Sequence, residues 1–270
     1  MPIRRKINIC LVFAGNHAIK NILPVLTLSP YYNLIGIYFR KRKYDKNKFS
    51  KYKIYKTYKE ALFDEEVDCV YISSPNNSHF KISLEALNNR KHVICEKPIT
   101  TNLRDFKKLV KISELVNRYF FEAFMFQYHN QYKILNKLLM KKQSGKILTL
   151  NARFGYPHLN KDNIRYNKKL NGGSFFDIAC YLIKLTYLLL GNNYKNISGN
   201  FNFEKKYSVD ISGNVLINFK SKQTAFLDWG IGRCYVNQVD IWTENYRIIA
   251  ERFFSKPENL NTQIKKIDSK

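Results

Sequence analysis

Residues 7–18 of this 270-residue chain read Ile7-Asn8-Ile9-Cys10-Leu11-Val12-Phe13-Ala14-Gly15-Asn16-His17-Ala18. From Ile7 to Phe13 the run is apolar but for Asn8, the pattern of a strand covered on both faces, as in parallel sheets flanked by helices. Gly15 and Asn16 then mark a tight turn, and residues 17–28 carry helical spacing. A strand that enters a helix through a glycine turn is the first unit of a doubly wound sheet, which binds ligands at the carboxyl ends of its strands. The dinucleotide fingerprint G-x-G-x-x-G/A asks for glycine at 13 and 15 and a small residue at 18. Gly15 and Ala18 satisfy it. Phe13 does not, and is expected to crowd the path of a dinucleotide. Taken alone, the turn is equally an ordinary strand-to-helix connection.

Outward from this turn the alternation continues. Residues 34–38 read as a second strand ending in the basic cluster Arg40-Lys41-Arg42-Lys43. A short strand follows near Ile54, then a helical turn at 58–63, a strand at 68–73, a helix at 78–88 and a buried strand at 92–95. Asn102 is a natural N-cap for a helix running to about residue 116, and 120–124 reads as a sixth strand. Repeated units of this length give a right-handed, mostly parallel sheet. After Phe126 the texture changes. A helix at 132–142 ends near Gly145, a strand covers 147–154, and a loop with Pro157 leads to an apolar helix at 174–190 closed by Gly191. Alternating segments at 197–203, 209–219, 224–229, 238–242 and 246–252 then predict a half-covered antiparallel sheet. The expected fold is α/β: a doubly wound parallel-sheet domain over 1–122, then an α+β domain over 123–270 with a mostly antiparallel open sheet.

Composition limits the function classes. Hydrophobic content of 45% with 25% charged residues describes a globular chain. No apolar run is seen to approach the roughly 20 residues that span a bilayer. Arg4, Arg5 and Lys6 precede the first apolar run, but it is short and lacks a small-x-small cleavage site, so a first strand is expected rather than a leader. The five cysteines are scattered with no C-x-x-C pair, which predicts a cytoplasmic protein without disulfides. The net charge of +25 would favour polyanions. Its lysines, however, are spread along the whole chain beside heavy Asn, Ile and Tyr usage, with no nucleic-acid motif or aromatic-basic stripe. No specific nucleic acid and no membrane partner is expected. His17, His79, His92, His129 and His158 have no metal-ligand spacing, so no metal is expected.

The end of the second strand bears on which dinucleotide would bind. An acidic residue there holds the ribose hydroxyls of NAD, whereas arginine accommodates a 2′-phosphate. Here Phe39-Arg40-Lys41 stands with no carboxylate before Asp45, so NADP(H) is expected in preference to NAD(H). The competing reading of Arg40 is one more solvated charge.

Two further stretches carry a resemblance. Val70-Tyr71-Ile72-Ser73-Ser74-Pro75-Asn76-Asn77-Ser78-His79, then Lys91-His92-Val93-Ile94-Cys95-Glu96-Lys97-Pro98, resembles the Gfo/Idh/MocA oxidoreductases. Gly172-Gly173-Ser174-Phe175-Phe176-Asp177-Ile178-Ala179-Cys180-Tyr181 is similar to that family's glycine-led active-site helix. Asp162-Asn163-Ile164-Arg165-Tyr166, Glu251-Arg252-Phe253-Phe254 and Leu23-Pro24 are nearest to sugar-nucleotide ketoreductases and dihydrodiol-dehydrogenase-like members. Those subgroups carry tyrosine at the position of Tyr181, where many relatives carry histidine. The resemblance implies a Rossmann domain followed by a substrate domain. It implies cofactor contacts from Ala14, Gly15, Asn16, His17, Arg40, Ser74, Pro75, Asn76, His79, Glu96 and Lys97, with Lys97, Asp177 and Tyr181 as catalytic residues.

The chemistry agrees with those residue types. Hydride addition to a ketone makes an alkoxide, which needs a proton donor and a positive charge. Tyr181 is the candidate donor. Lys97, set by the turn at Pro98, is placed to hydrogen-bond the oxygen and to favour tyrosinate in the reverse direction. Asp177 precedes Tyr181 by four residues, which puts both on one face of an α-helix, where it would orient a substrate hydroxyl or Lys97. Glu96 is expected on the nicotinamide side. Arg165 and Tyr166 are candidates for a diphosphate on the substrate, with a loop salt bridge as the alternative for Arg165.

The expected activity is reduction of a keto-sugar, free or nucleotide-linked, by NAD(P)H. The alternatives are oxidation of a free sugar or dihydrodiol by the same residues, or a degenerate homologue that only binds a ligand or protein. Phe13, Gln127 (where many relatives carry arginine) and a C-terminal domain that reads as shortened support the last. An exposed sheet there is expected to pair with a second copy, giving a homo-oligomer.

Overall fold

A computed structural model describes residues 5–40, 44–45, 47–257 and 259–268. Lys41, Arg42 and Lys43 of the basic cluster, and Arg4, lie outside the described residues. The chain divides into two compact units, Met1–Ala123 and Phe124–Lys270.

In the first unit the strands are β1 (Ile7–Ala14), β2 (Tyr32–Phe39), β3 (Lys53–Ile54), β4 (Cys69–Ile72), β5 (His92–Cys95) and β6 (Phe120–Glu122). The helices are α1 (Leu23–Leu28), α2 (Tyr58–Phe63), α3 (Asn76–Asn88) and α4 (Leu103–Leu115). All strand pairings are parallel, in the order β3-β2-β1-β4-β5-β6. This is the order of a dinucleotide-binding sheet, with its switch point between β1 and β4. Alternate residues of β1 feed two cores. Cys10 and Val12 pack with α3 residues such as Ile82 and Leu87, while Ile9 and Leu11 pack with Ala18, Ile22 and Leu26. Both faces are therefore covered, as the unbroken apolar run predicts. Asn102 caps α4 through a bond from the Asp105 N–H at 2.9 Å. The first helix is not uniform. A π-helical turn, Ala18–Ile22, precedes α1, and the Ile19 N–H donates to Gly15 O at 2.9 Å.

The second unit holds α5 (Asn130–Leu139), β7 (Ile147–Tyr156), α6 (Cys180–Leu190), β8 (Tyr194–Phe203), β9 (Asp210–Phe219), β10 (Thr224–Ile231), β11 (Val236–Thr243), β12 (Tyr246–Glu251) and β13 (Ile264–Asp268). The sheet order is β13-β12-β11-β7-β10-β9-β8, antiparallel except for the parallel pair β7–β10. Leu182 and Leu185 of α6 bury against one face, which offers Leu150, Ala152, Leu227 and Val239. On the other face Phe226 and Trp242 are exposed, and β8 is exposed along its whole length.

Three expectations are revised. The strand at 264–268 carries only two isoleucines among lysines, too weak an alternation to read, and it is its ladder with β12 that defines it. The run Lys168–Leu190 is long and apolar enough, by length and composition, to cross a membrane. Asp177 and Lys184 break its apolar letters and hid this in the sequence; here Ile178, Ala179, Leu182 and Leu185 serve the core. The helix expected from 174 begins as a π-helical turn, Phe175–Ala179, before α6.

Candidate functional site

The first-unit residues gather at the carboxyl ends of β1, β2, β4 and β5. At the end of β1, Phe13 adopts φ +65°, the left-handed conformation that the fingerprint's first glycine would supply. Its ring does not stand in the turn. It packs edge-on to Tyr38 at 4.9 Å and beside Tyr58 at 5.5 Å. The expected crowding by Phe13 is thus corrected: the side chain is absorbed by the core, at a backbone cost of about 1 kcal/mol. Gly15 is open, since a Cβ built on it would meet nothing nearer than Phe13 O at 4.0 Å. The Arg40 N–H donates to Ala14 O at 3.4 Å, which brings the end of β2 to this turn. Asp45, the first carboxylate after Arg40, accepts the N–H groups of Asn47 at 3.0 Å and Lys48 at 3.4 Å on its Oδ1. This arrangement fits a dinucleotide: an open glycine turn with a cation, Arg40, at the neighbouring strand end.

At the end of β5, Glu96 is held from two sides. Its Oε1 accepts the Tyr71 hydroxyl at 2.8 Å and lies 3.6 Å from His17 Nε2. Asn21 Nδ2 meets the other ring nitrogen of His17 at 3.0 Å, so the candidate cofactor turn and the Glu96 loop are linked through His17. Burial alone would raise the Glu96 carboxyl, but His17, Tyr71 and the Lys97 charge outweigh it and hold the group below its ordinary value. Lys97 is half-buried and joined to Pro98 by a cis peptide bond. In the β4–α3 loop, the Ser78 hydroxyl contacts Ser74 Oγ and Pro75 O, each at 2.8 Å, and Asn76 opens α3. His79 is 1% exposed, and its ring nitrogens face Pro98 O at 2.8 Å and Ser74 O at 2.7 Å. It touches the two loops rather than an open surface.

In the second unit the glycine pair has a steric reason. A Cβ on Gly172 would meet Arg165 O at 2.5 Å, and one on Gly173, at φ +110°, would collide with Asp210. Loop 164–166 thus lies against the start of the helix, tied by the Gly173 N–H to Arg165 O at 2.7 Å. Asp210 caps the π turn, accepting the Ser174 hydroxyl at 2.5 Å and the Phe175 N–H at 2.7 Å. Asp177 emerges from that turn. Its Oδ2 accepts the Tyr156 hydroxyl and Arg165 Nε, both at 2.6 Å. Asp177 raises the Arg165 guanidinium further above its ordinary value. Burial, reinforced by Asp177, pushes the Tyr156 phenol up and keeps it protonated. Tyr181 is half-buried in an aromatic surround of Phe124, Phe126, Phe154 and Phe254, with ring centroids 5.5–6.2 Å away.

The expected contact of Tyr166 with a substrate phosphate is corrected. Tyr166 is buried, stacked on Tyr207 at 4.1 Å, and its hydroxyl accepts the Leu159 N–H at 3.0 Å. For Arg165 the salt-bridge alternative is what the structure contains. Two contributors escaped sequence reasoning, Tyr71 and Tyr156. Each is a phenol near the carboxyl end of a strand, and a buried hydroxyl that needs a partner was the available signal. Among the described residues no group of three or more His, Cys, Asp or Glu side chains is placed to hold a metal.

Comparison with known proteins places these features. The family model for the oxidoreductase family with an NAD-binding Rossmann fold, Gfo/Idh/MocA, matches residues 7–124, and the model for the Gfo/Idh/MocA C-terminal domain matches 132–249. The chain is 29% identical over 200 residues to the dTDP-3,4-didehydro-2,6-dideoxy-alpha-D-glucose 3-reductase of Saccharopolyspora spinosa, covering 74% of this chain and 60% of that protein. It is 27% identical over 190 residues to the trans-1,2-dihydrobenzene-1,2-diol dehydrogenase of Xenopus laevis, covering 70% and 57%. The chain thus spans about 60% of the length of the curated relatives it matches. A solved 3-ketoreductase from Actinomadura kijaniata, in complex with NADP and TDP-benzene, superposes with a TM-score of 0.90 at 24% identity, covering 98% of this chain and 84% of that one. At that identity the likeness is one of fold.

Proposed function

The chain belongs to the Gfo/Idh/MocA family of oxidoreductases, and from that premise we propose that it transfers hydride between a nicotinamide dinucleotide and a sugar, reducing the carbonyl of a nucleotide-linked keto-sugar. The observation that carries this reading is the Glu96-Lys97-Pro98 turn at the carboxyl end of β5, reached from the Gly15 turn through His17. In the proposal, residues 1–122 form the dinucleotide domain and 123–270 the substrate domain. Ala14, Gly15, Asn16 and His17 receive the pyrophosphate, while Ser74, Pro75, Asn76, Glu96 and Lys97 border the nicotinamide. His79 acts through the loops it touches. Arg40, with no carboxylate before Asp45, favours NADP(H) over NAD(H).

The nicotinamide supplies the hydride. Tyr181 gives its phenolic proton to the sugar oxygen, and the Lys97 ammonium stabilises negative charge on that oxygen. Asp177, fixed by Arg165 and Tyr156, accepts a hydrogen bond from a sugar hydroxyl, and the outer nitrogens of Arg165 are the candidate phosphate contact. Solved variants of the Actinomadura ketoreductase replace one lysine and one tyrosine, which agrees with roles for Lys97 and Tyr181. Similarity to dihydrodiol dehydrogenases favours oxidation of a diol by the same residues as the second reading. A degenerate, ligand-binding homologue is the outcome if no cofactor binds. The free cysteines agree with a cytoplasmic location. The open sheet face with Phe226 and Trp242 is the surface proposed to pair two copies.

Fluorescence titration with NADPH and NADH tests the reading, with NADPH expected to bind more tightly. Lys97→Met and Tyr181→Phe are expected to keep cofactor binding while turnover of a dTDP-keto-sugar falls by about 100-fold or more. Folded protein that binds neither cofactor, or variants that keep full turnover, would overturn it.

A further inference from the structure

His79 is buried at 1% exposure, yet each of its ring nitrogens lies at hydrogen-bond distance from a backbone carbonyl. A carbonyl oxygen only accepts, so both contacts need an N–H on the ring. A neutral imidazole carries one N–H, and its other nitrogen then points a lone pair at a carbonyl lone pair. Only the imidazolium satisfies Ser74 O and Pro98 O together. These carbonyls belong to separate segments, the loop that follows β4 and the turn that follows β5.

We propose that His79 is a proton-dependent staple and a positioning residue for Lys97: neutral, it ties one loop, and as imidazolium it ties the Ser74–Pro75 loop and the Lys97–Pro98 turn together. The positioning part rests on the role proposed above for Lys97; the staple itself does not. Burial is the largest influence on the ring and opposes the imidazolium, as does the Lys97 charge, while the two carbonyl contacts and the Glu96 charge favour it. Their balance holds His79 below its ordinary value of 6.5, so near neutral pH one of the two ties is open. In that state the proton sits on Nδ1 facing Pro98 O or on Nε2 facing Ser74 O, and the tautomer decides which loop is held.

The test is two-bond 1H–15N correlation spectroscopy of the histidine rings across pH 4.5–8, with NADPH affinity followed over the same range. His79 is assigned through His79→Gln or, if that variant does not fold, by replacing the other histidines one at a time. The expected result is a single protonated ring nitrogen at pH 7.5 and two protonated nitrogens after a transition below 6.5. NADPH affinity should strengthen about threefold to tenfold through that transition, the worth of one hydrogen bond. That component should be missing from His79→Gln. A ring that stays in one neutral tautomer down to pH 4.5 overturns the staple. An unchanged pH profile in His79→Gln overturns its action on the cofactor loops. If NADPH binds at no pH, the oxidoreductase reading falls while the ring spectra still decide the staple.

Discussion

Glu96 and Asp177 are built to one plan and set to different purposes. Each is a mostly buried carboxylate in which one oxygen takes a tyrosine hydroxyl and faces a cation: Tyr71 and His17 for Glu96, Tyr156 and Arg165 for Asp177. The partners differ. His17 stands 3.6 Å away and is more than half exposed, whereas Arg165 is bonded at 2.6 Å and carries a permanent charge. The Glu96 cluster is therefore the more loosely tied, while the Asp177 cluster is a fixed charge pair.

The comparison is most strongly tested by removing the permanent cation. Arg165→Met leaves Asp177 without its charge partner. We expect a loss of about 2–3 kcal/mol in urea unfolding, below the full cost of breaking a buried pair because Arg165 is partly exposed. A loss as small as that of His17→Gln, expected within about 0.5 kcal/mol, would erase the distinction. Next, Tyr156→Phe should cost about 1.5–2 kcal/mol and Tyr71→Phe about 1 kcal/mol, each losing one hydrogen bond to a charged group. The Tyr156 bond should be the larger because it is the shorter, and the reverse order would show that the phenol at Glu96 carries more of its site.

A further effect concerns acid. The folded-state value of Glu96 lies below its ordinary 4.5, so its stabilisation is fully present above 4.5 and is lost as pH falls through the lowered value. Glu96→Gln should lack this contribution, so the stability gap between the two proteins should narrow as pH falls from 6 to 3. A gap that is constant over that range would mean that His17 and Tyr71 do not hold the carboxylate.

The two clusters were not equally legible. Glu96, Lys97 and Pro98 stand in sequence directly after a four-residue apolar strand, and a parallel sheet delivers such loops to one end whatever the helices do. The capped helix α4 and the covered strand β1 were readable for the same reason, since their signals are local. Asp177 and Tyr181 were read as one α-helical face. That this helix opens as a π turn at Phe175–Ala179 was not legible, because the turn's setting lies in Asp210, 35 residues beyond Phe175, and in the Arg165 loop. Tyr156, Tyr166 and Phe13 were misjudged or missed because side-chain direction depends on neighbours that no spacing records. The ring of Phe13 is drawn to Tyr38 and Tyr58.

By itself the sequence determined the alternation of strands and helices, the covered parallel sheet, the half-covered second sheet and the family signatures around Lys97 and Tyr181. Periodic burial and turn chemistry act within a few residues, so they can be read in order along the chain. Only the tertiary structure decided which groups the two carboxylates hold, where Phe13 turns, that β7 runs parallel to β10, and that His79 faces two carbonyls. These depend on pairs far apart in the chain whose geometry is set when the core closes, and a hydrogen bond discriminates over tenths of an ångström that no residue spacing encodes.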